Sequence, residues 1–152
     1  MGPGDQHRLR TLARSLGVED RVQFTGGLAR NEIPSALDDV DVYVQPSRTE
    51  GLPRAMIEAM ARGCVSIGTR AGGIPELIDE PWLVDKNDWR AIANLLTNLR
   101  SHDLEGASLR NAEKASEYDF EHLQRKRQRF YYKFLTDHGL EPVRNGVNHG
   151  PA

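Results

Sequence analysis

The chain has 152 residues, of which 38% are hydrophobic and 28% charged, and its formal net charge is −2 at pH 7. These values are typical of one soluble globular domain with a full core, and they give no basic field that would attract nucleic acid. No apolar run is long enough to span a bilayer, and no signal-peptide pattern is present. The single cysteine, Cys64, excludes an internal disulfide and lies in an apolar run, so we expect a buried thiol in a cytoplasmic protein.

Helical and strand patterns alternate along the chain, beginning with a helix that Asp5 can cap. Leu9, Leu12 and Leu16 recur in it at helical spacing, and Gly17 is its stop. The next predicted elements are a strand over residues 21–24, a short helix over 32–37 capped by Asn31 or its neighbours, and a strand over 40–44 ended by Pro46. A helix opened by Pro53 and ended by Gly63 follows, and then strands over 64–67 and 82–84. The last predicted elements are a helix over 89–99 with cap residues at 85–87, and helices over 105–117 and 119–135. The helix over 89–99 is predicted to pack through Trp89, Ile92, Leu96 and Leu99, and the last helix through Phe120, Leu123, Phe130 and Phe134.

This alternation predicts an α/β fold with right-handed crossovers and a parallel sheet. In such sheets, ligands bind in the crevice beyond the carboxyl ends of the strands. Three loops follow predicted strands, at residues 25–31, 47–52 and 69–74, and all three should open onto the same edge of the sheet. That edge is the predicted ligand site.

The segment after the second of these loops carries residues suited to a phosphorylated sugar. Gly51 precedes a helix opened by Pro53, and free amides at a helix N-terminus bind anions such as phosphate. A carboxylate accepts hydrogen bonds from two adjacent hydroxyls, so Glu50 and Glu58 on either side of a diphosphate would fit a nucleotide sugar. The alternative is that Glu58 is a solvated helix residue. The packing face of this helix is predicted to comprise Ala55, Met56, Ala59 and Met60.

The segment resembles the donor-site signature of the family-4 (group 1) retaining glycosyltransferases, which have the GT-B fold of two Rossmann-like domains facing a cleft. The residues that carry the resemblance are Glu50, Gly51, Leu52, Pro53, Glu58, Ala59, Met60, Ala61, Gly63, Gly72, Gly73, Ile74, Pro75 and Glu76. Residues 1–4, 22–26 and 118–134 also resemble parts of the family's C-terminal domain. The resemblance implies a Rossmann-like parallel sheet with flanking helices, a partial GT-B C-terminal domain over residues 1–135, and we expect a disordered tail over residues 136–152.

The resemblance also implies how a nucleotide diphosphate sugar would be bound in polysaccharide biosynthesis. Glu50 would contact the hydroxyls of the donor sugar, and Glu58 those of the ribose. Gly27 and Leu28 would touch the base through their backbone. The implied donor-binding residues are Glu50, Gly51, Leu52, Pro53, Glu58, Gly27 and Leu28. The resemblance assigns no catalytic residue, and it implies neither a metal nor another cofactor.

The sequence departs from the family where a cleft would be completed. The family's C-terminal domain begins with two further strands and a helix, between which an Arg and a Lys clamp the diphosphate, and an N-terminal domain forms the opposite wall. We therefore expect this chain alone to be inactive: either the missing domain is supplied in trans, or the chain is a fragment of a longer enzyme. Arg48, Arg54 and Arg70 lie near the predicted site and either substitute for the clamp or are solvated.

Two further alternatives are a non-catalytic module that binds nucleotide sugar and a folded remnant that binds nothing and pairs as a homodimer. A basic cluster in the last helix, with Arg125, Arg129 and Lys133 among its members, could touch the inner face of a membrane peripherally. The simpler interpretation of this helix is that its apolar side packs on a domain while its arginines are solvated.

Overall fold

The computed structural model describes residues 6–141, and the chain divides after Asp41 into two compact units. The predicted cap Asp5, the segment 1–4 and most of the predicted tail lie outside the described residues. Among the helices described, none is both long and apolar enough to cross a bilayer.

The first unit contains two helices, α1 (Gln6–Ser15) and α2 (Ile33–Asp38), close to the predicted bounds. Gly17, at φ +65°, follows α1 as the predicted stop. The leucine stripe of α1 is not buried, because Leu9 and Leu12 are each about half exposed and only Ala13 of this helix is buried. The cap of α2 is Glu32, the neighbour of Asn31 and so within the prediction, and the carboxylate of Glu32 accepts a hydrogen bond from the amide of Ala29 at 2.7 Å.

The strand predicted over residues 21–24 is wrong. Residues 19–21 form a 3₁₀ turn instead, and this turn takes the amide of Val22, which donates to the carbonyl of Glu19 at 3.2 Å. Val22 is extended, at φ −118° and ψ 115°, but an extended segment becomes a strand only when a neighbouring strand pairs with it. Residues 22–25 pair with no strand in the described part of the chain.

The second unit is built on a parallel sheet of three strands, β1 (Val42–Gln45), β2 (Val65–Thr69) and β3 (Leu83–Val84), in the order β1-β2-β3. The first pairing sets Val42 beside Val65, and the second sets Gly68 beside Leu83. Between β1 and β2 the chain crosses over through helix α3 (Arg54–Ala61). The strands predicted over residues 40–44, 64–67 and 82–84 and the parallel sheet are therefore confirmed.

Strand β2 lies at the centre of the core and is buried along its whole length. Met56 and Met60 of α3 are fully buried, and Cys64 is buried as its apolar run predicts. Ala59 is also buried, but Ala55 is exposed, so its predicted place on the packing face is wrong. Ala55 lies in the first turn of α3, one position before the buried Met56.

Three more helices follow, α4 (Trp89–Thr97), α5 (Leu104–Ser116) and α6 (Phe120–Asp137). Asp88 caps α4, one residue later than predicted, by accepting a hydrogen bond from the amide of Ala91 at 2.9 Å. Of the residues predicted to pack, Ile92 and Leu99 lie against the core, together with Leu95. Trp89 and Leu96 are 64% and 39% exposed, so their predicted place on the packing face is wrong.

Helix α5 is tied to the start of β2 by side chains. The amide of Asn111 donates to the carbonyl of Cys64 at 3.0 Å, and the hydroxyl of Ser108 donates to the carbonyl of Gly63 at 2.6 Å. The predicted apolar stripe of α6 faces solvent for most of its length: Phe120 and Phe130 are more than two-thirds exposed, and Leu135 is the buried residue of the helix.

Candidate binding site at the carboxyl edge of the sheet

Two of the three predicted loops meet at the carboxyl edge of the sheet. The amide of Gly73, after β2, donates to the carbonyl of Gly51, after β1, at 2.9 Å. The hydroxyl of Thr69 donates to the carbonyl of Ser47 at 2.5 Å. The loop at 25–31 belongs to the first unit, and its place beside these two loops stays a prediction.

Glycine is required where the two loops touch. A Cβ atom added at Gly72 would lie 1.9 Å from the carbonyl oxygen of Glu50, and one added at Gly73 would lie 2.9 Å from that of Gly51. Gly72 also has φ +51°, in the left-handed region where residues with a Cβ are disfavoured. The Gly-Gly pair of the signature therefore lets the second loop lie directly against the backbone of the first.

Pro53 stands at the start of α3 as its N-cap, one position before the predicted one, and it is buried. Its carbonyl accepts hydrogen bonds from the amides of Met56 and Ile57 at 3.0 and 3.2 Å. The amides of Arg54 and Ala55 have no hydrogen-bond partner among residues 6–141. These are the donors that a helix N-terminus offers to an anion.

The carboxylate of Glu50 is held by two side chains that the sequence analysis did not identify. Its Oε2 atom accepts hydrogen bonds from Nε2 of Gln45 at 3.0 Å and from Oγ of Ser47 at 2.8 Å. Gln45 Nε2 also donates to Ser47 Oγ at 3.0 Å, and Gln45 Oε1 accepts from the phenol of Tyr43 at 2.5 Å. A sequence signal for this network does exist: Tyr43 and Gln45 are two apart on a strand and so share one face of it.

Glu58 is exposed on α3, beside the buried positions Met56 and Ala59. The pKa of the Tyr43 phenol is raised, first by burial and then by the negative charges of Glu50 and Glu58. The charges of both predicted carboxylates thus act in the same direction on the pKa of this phenol. Gly51 and Leu52, between them in the chain, are exposed.

The three arginines near the site differ in their surroundings. Arg70 is paired with Glu80 and, at 3.5 Å, with Asp85. The hydrogen bond to Glu80, with the charges of both carboxylates, raises the pKa of Arg70 above its usual value. Arg48 and Arg54 are exposed and form no ion pair with any residue in the described range 6–141.

A cavity of about 250 Å³ opens at the same edge. It is lined by residues that end or follow the three strands, namely Pro46, Arg48, Thr69, Asn87, Asp88, Trp89 and Ile92. Over residues 6–141 no three metal-ligating side chains come together.

Proteins with an open parallel α/β sheet bind their ligands at the carboxyl edge of the strands. In this chain the two glycine-containing loops after β1 and β2 contact each other at that edge, which places the chain in this class of ligand-binding protein. Residues 1–118 match the family described as Glycosyl transferases group 1, and the chain belongs to that family. WcaL of Escherichia coli K12, which is named as a colanic acid biosynthesis glycosyltransferase, is 37% identical over 131 residues, covering 79% of this chain and 32% of its own length. The amylovoran biosynthesis glycosyltransferase AmsK of Erwinia amylovora is 36% identical over 109 residues, covering 65% of this chain and 27% of its own length.

Solved structures show the same fold. The C-terminal domain of the group 1 glycosyl transferase LpcC from Francisella tularensis is 29% identical and has a TM-score of 0.67, over 76% of this chain and 63% of that one. HepE of Anabaena, in complex with UDP, is 24% identical with a TM-score of 0.69, over 86% of this chain and 36% of that one. These likenesses confirm the Rossmann-like parallel sheet of a GT-B glycosyltransferase. The chain spans about a third of the length of the curated relatives WcaL and AmsK.

Proposed function

We propose that the carboxyl edge of the second unit binds a nucleotide diphosphate sugar as the donor for glycosyl transfer. The observation that carries this proposal is the loop between β1 and α3, which presents the oriented carboxylate of Glu50 four residues before the open amide of Arg54. Related structures support the choice of ligand, since HepE has been solved with UDP and with UDP and glucose.

The diphosphate has a physical reason to sit at the start of α3. Anions at a helix N-terminus gain about 0.3–1 kcal/mol from the helix dipole, and up to about 2 kcal/mol when partly buried. Arg48 and Arg54 add positive charge beside those amides, whereas Arg70 is already engaged by two carboxylates. In this arrangement Gly51, Leu52 and Pro53 line the sugar and the diphosphate.

The two carboxylates bind the two parts of the ligand that carry hydroxyl groups, the donor sugar and the ribose. Glu50 accepts hydrogen bonds from hydroxyls of the donor sugar, and Glu58 accepts them from the ribose. Gly27 and Leu28 lie in the first unit, and the base contact that the family resemblance implies for their backbone stays a prediction. The family motif supports the roles of Glu50 and Glu58, and each of these two can be tested by substitution.

Transfer itself is proposed only for an assembly larger than this chain. The relatives are about three times as long, and exclusion of water from the cleft needs a second wall. We propose that an N-terminal domain, either supplied in trans or carried by a longer enzyme of which this chain is a part, forms that wall and binds the acceptor. We also propose that the sugar is transferred with retention in polysaccharide biosynthesis. The contribution of this chain is to hold the donor and to stabilise the departing diphosphate.

Calorimetric titration with UDP-glucose and GDP-mannose tests the donor site. Glu58→Ala should weaken binding of the preferred ligand by about 1.5–3 kcal/mol, as expected for loss of a hydrogen bond to a charged group. Glu113→Ala, on the exposed face of α5, is the matched control and should bind like the wild type. If neither ligand binds the wild type at millimolar concentration, the chain is the folded remnant and the proposal is wrong. If the wild type binds and Glu58→Ala binds with equal affinity, only the proposed contact between Glu58 and the ribose is wrong.

A further inference from the structure

We propose that Gln45 and Ser47 are positioning residues that hold one oxygen of the Glu50 carboxylate, so that the other faces the sugar of the donor. This inference rests on the proposed function, because it assigns a purpose to the way Glu50 is held. Neither residue belongs to the signature that identifies the site. Both act through Glu50 and not by touching the ligand.

The hydrogen bonds form a directed chain that ends on Glu50. Gln45 offers one acceptor and two donors: Oε1 accepts from Tyr43, and Nε2 donates to both Ser47 Oγ and Glu50 Oε2. The hydroxyl of Ser47 then donates its own proton to the same Oε2 at 2.8 Å. Oε2 therefore receives two hydrogen bonds, while no described residue donates to Oε1.

Tyr43 sets the donor-to-acceptor direction of this series of hydrogen bonds. Tyr43 is partly buried, and its pKa is raised by that burial and by the charges of Glu50 and Glu58. The phenol therefore stays protonated at neutral pH and donates to Gln45 Oε1. With its carbonyl engaged in this way, the amide of Gln45 turns its NH₂ group toward Glu50. A residue without a hydrogen-bond donor at position 43 would leave that choice open.

The backbone around Glu50 is held as firmly as its carboxylate. The carbonyl of Ser47 accepts from Thr69, a buried residue of β2, and the carbonyl of Glu50 lies against Gly72. Main chain and side chain are thus both fixed before a ligand arrives. A group that is ordered in advance loses less entropy on binding, so its hydrogen bond to a ligand contributes more to affinity.

A purely structural role for the same network predicts a different result. If Gln45 and Ser47 served only to join the loop to β1, their loss would displace Gly51 and the start of α3 as well. Binding of a nucleoside diphosphate and of its sugar ester would then weaken together. If they position Glu50, only the ligand that carries a sugar should lose affinity.

The test compares UDP with UDP-glucose, and GDP with GDP-mannose, on the full chain. Gln45→Met keeps the length of the side chain and removes its hydrogen bonds, and we expect it to lower the affinity for the sugar-bearing ligand about tenfold while leaving the affinity for the bare diphosphate unchanged. Ser47→Ala should act in the same direction, and Ser47→Thr, which retains the hydroxyl, should bind as the wild type does. Gln128→Met on the exposed face of α6 is the matched control.

The outcomes separate this inference from the proposed function. A wild type that binds none of the four ligands refutes the proposed function. A wild type that binds, with Gln45→Met either unchanged or equally weakened for both members of a pair, overturns the positioning role alone. If Gln45→Met fails to fold, the inference can still be tested without ligand, by NMR on the ¹⁵N-labelled chain. Glu50→Gln should move the side-chain NH₂ resonance of Gln45, and Glu113→Gln should not. A Gln45 resonance that ignores Glu50 also overturns the inference.

Discussion

Replacing Gly72 by alanine should disrupt the site through its backbone. The new Cβ atom would lie 1.9 Å from the carbonyl oxygen of Glu50 and 3.1 Å from that of Gly51, and neither carbonyl can rotate away as a flexible side chain can. The loop that carries Glu50 must therefore move. Because that loop contains the carboxylate and leads into α3, donor binding should fall together with stability.

The magnitude has two parts. A residue with a Cβ atom in the left-handed region costs about 1–2 kcal/mol, and overpacking of a filled site costs about 1–3 kcal/mol more. The sum, about 2–5 kcal/mol, is a large share of the total stability of about 5–15 kcal/mol that is typical of a domain. Urea unfolding followed by circular dichroism measures the loss.

Gly139→Ala is the matched control for the first part. Gly139 has φ +64°, close to the φ +51° of Gly72, but nothing lies within 4 Å of its added Cβ atom. This variant should lose only the conformational cost of about 1–2 kcal/mol and should keep the affinity of the wild type for donor. Equal losses of stability in the two variants would refute the close approach of the two loops.

Three more predictions concern the core and the phenol beside Glu50. Gly68→Ala in β2 would place a Cβ atom 2.6 Å from Cγ2 of Ile74, so we expect a loss of about 1–3 kcal/mol in urea unfolding, with m unchanged. Asn111→Ala removes the hydrogen bond to the carbonyl of Cys64 and should cost about 1–3 kcal/mol in the same assay, and a loss near zero would contradict the tie between α5 and β2. The folded-state pKa of Tyr43 is raised, so its stabilising contribution is complete below the unfolded pKa of about 10 and is lost as pH rises above it. A phenolate difference titration of wild type against Tyr43→Phe isolates that group, and a midpoint at or below about 10 would contradict the burial of the phenol beside the two carboxylates.

The sheet and its helices could be predicted because their signals are local. An apolar run of strand length predicts β2, and a proline and a glycine predict the start and end of α3 within a residue or two. The segment at 21–24 shows where such signals fail, since its residues have strand propensity but the preceding turn takes the first amide. Periodicity likewise predicts helix α1 correctly while overstating how deeply its leucines are buried.

The residues of the candidate site likewise fall into those that a sequence motif predicts and those that only the structure reveals. Glu50, Glu58 and the glycine pair stand at fixed spacings, so a motif identifies them. Gln45 and Ser47 carry no such pattern, because their role depends on where β1 ends and how the loop turns back toward it. The pairing of Arg70 with Glu80 depends on a contact between segments ten residues apart and was equally invisible to spacing.

Chemical-shift mapping tests the central claim most directly, because it reports where a nucleotide sugar binds as well as whether it binds. UDP-glucose and GDP-mannose are titrated in turn into the ¹⁵N-labelled chain. We expect the amides of Gly51, Leu52 and Arg54 to shift with a common affinity for the preferred ligand, together with Gly72 on the facing loop, while Leu109 on the exposed face of α5 stays unmoved. Shifts confined to residues away from the two loops, or no shift at millimolar ligand, would contradict the donor site.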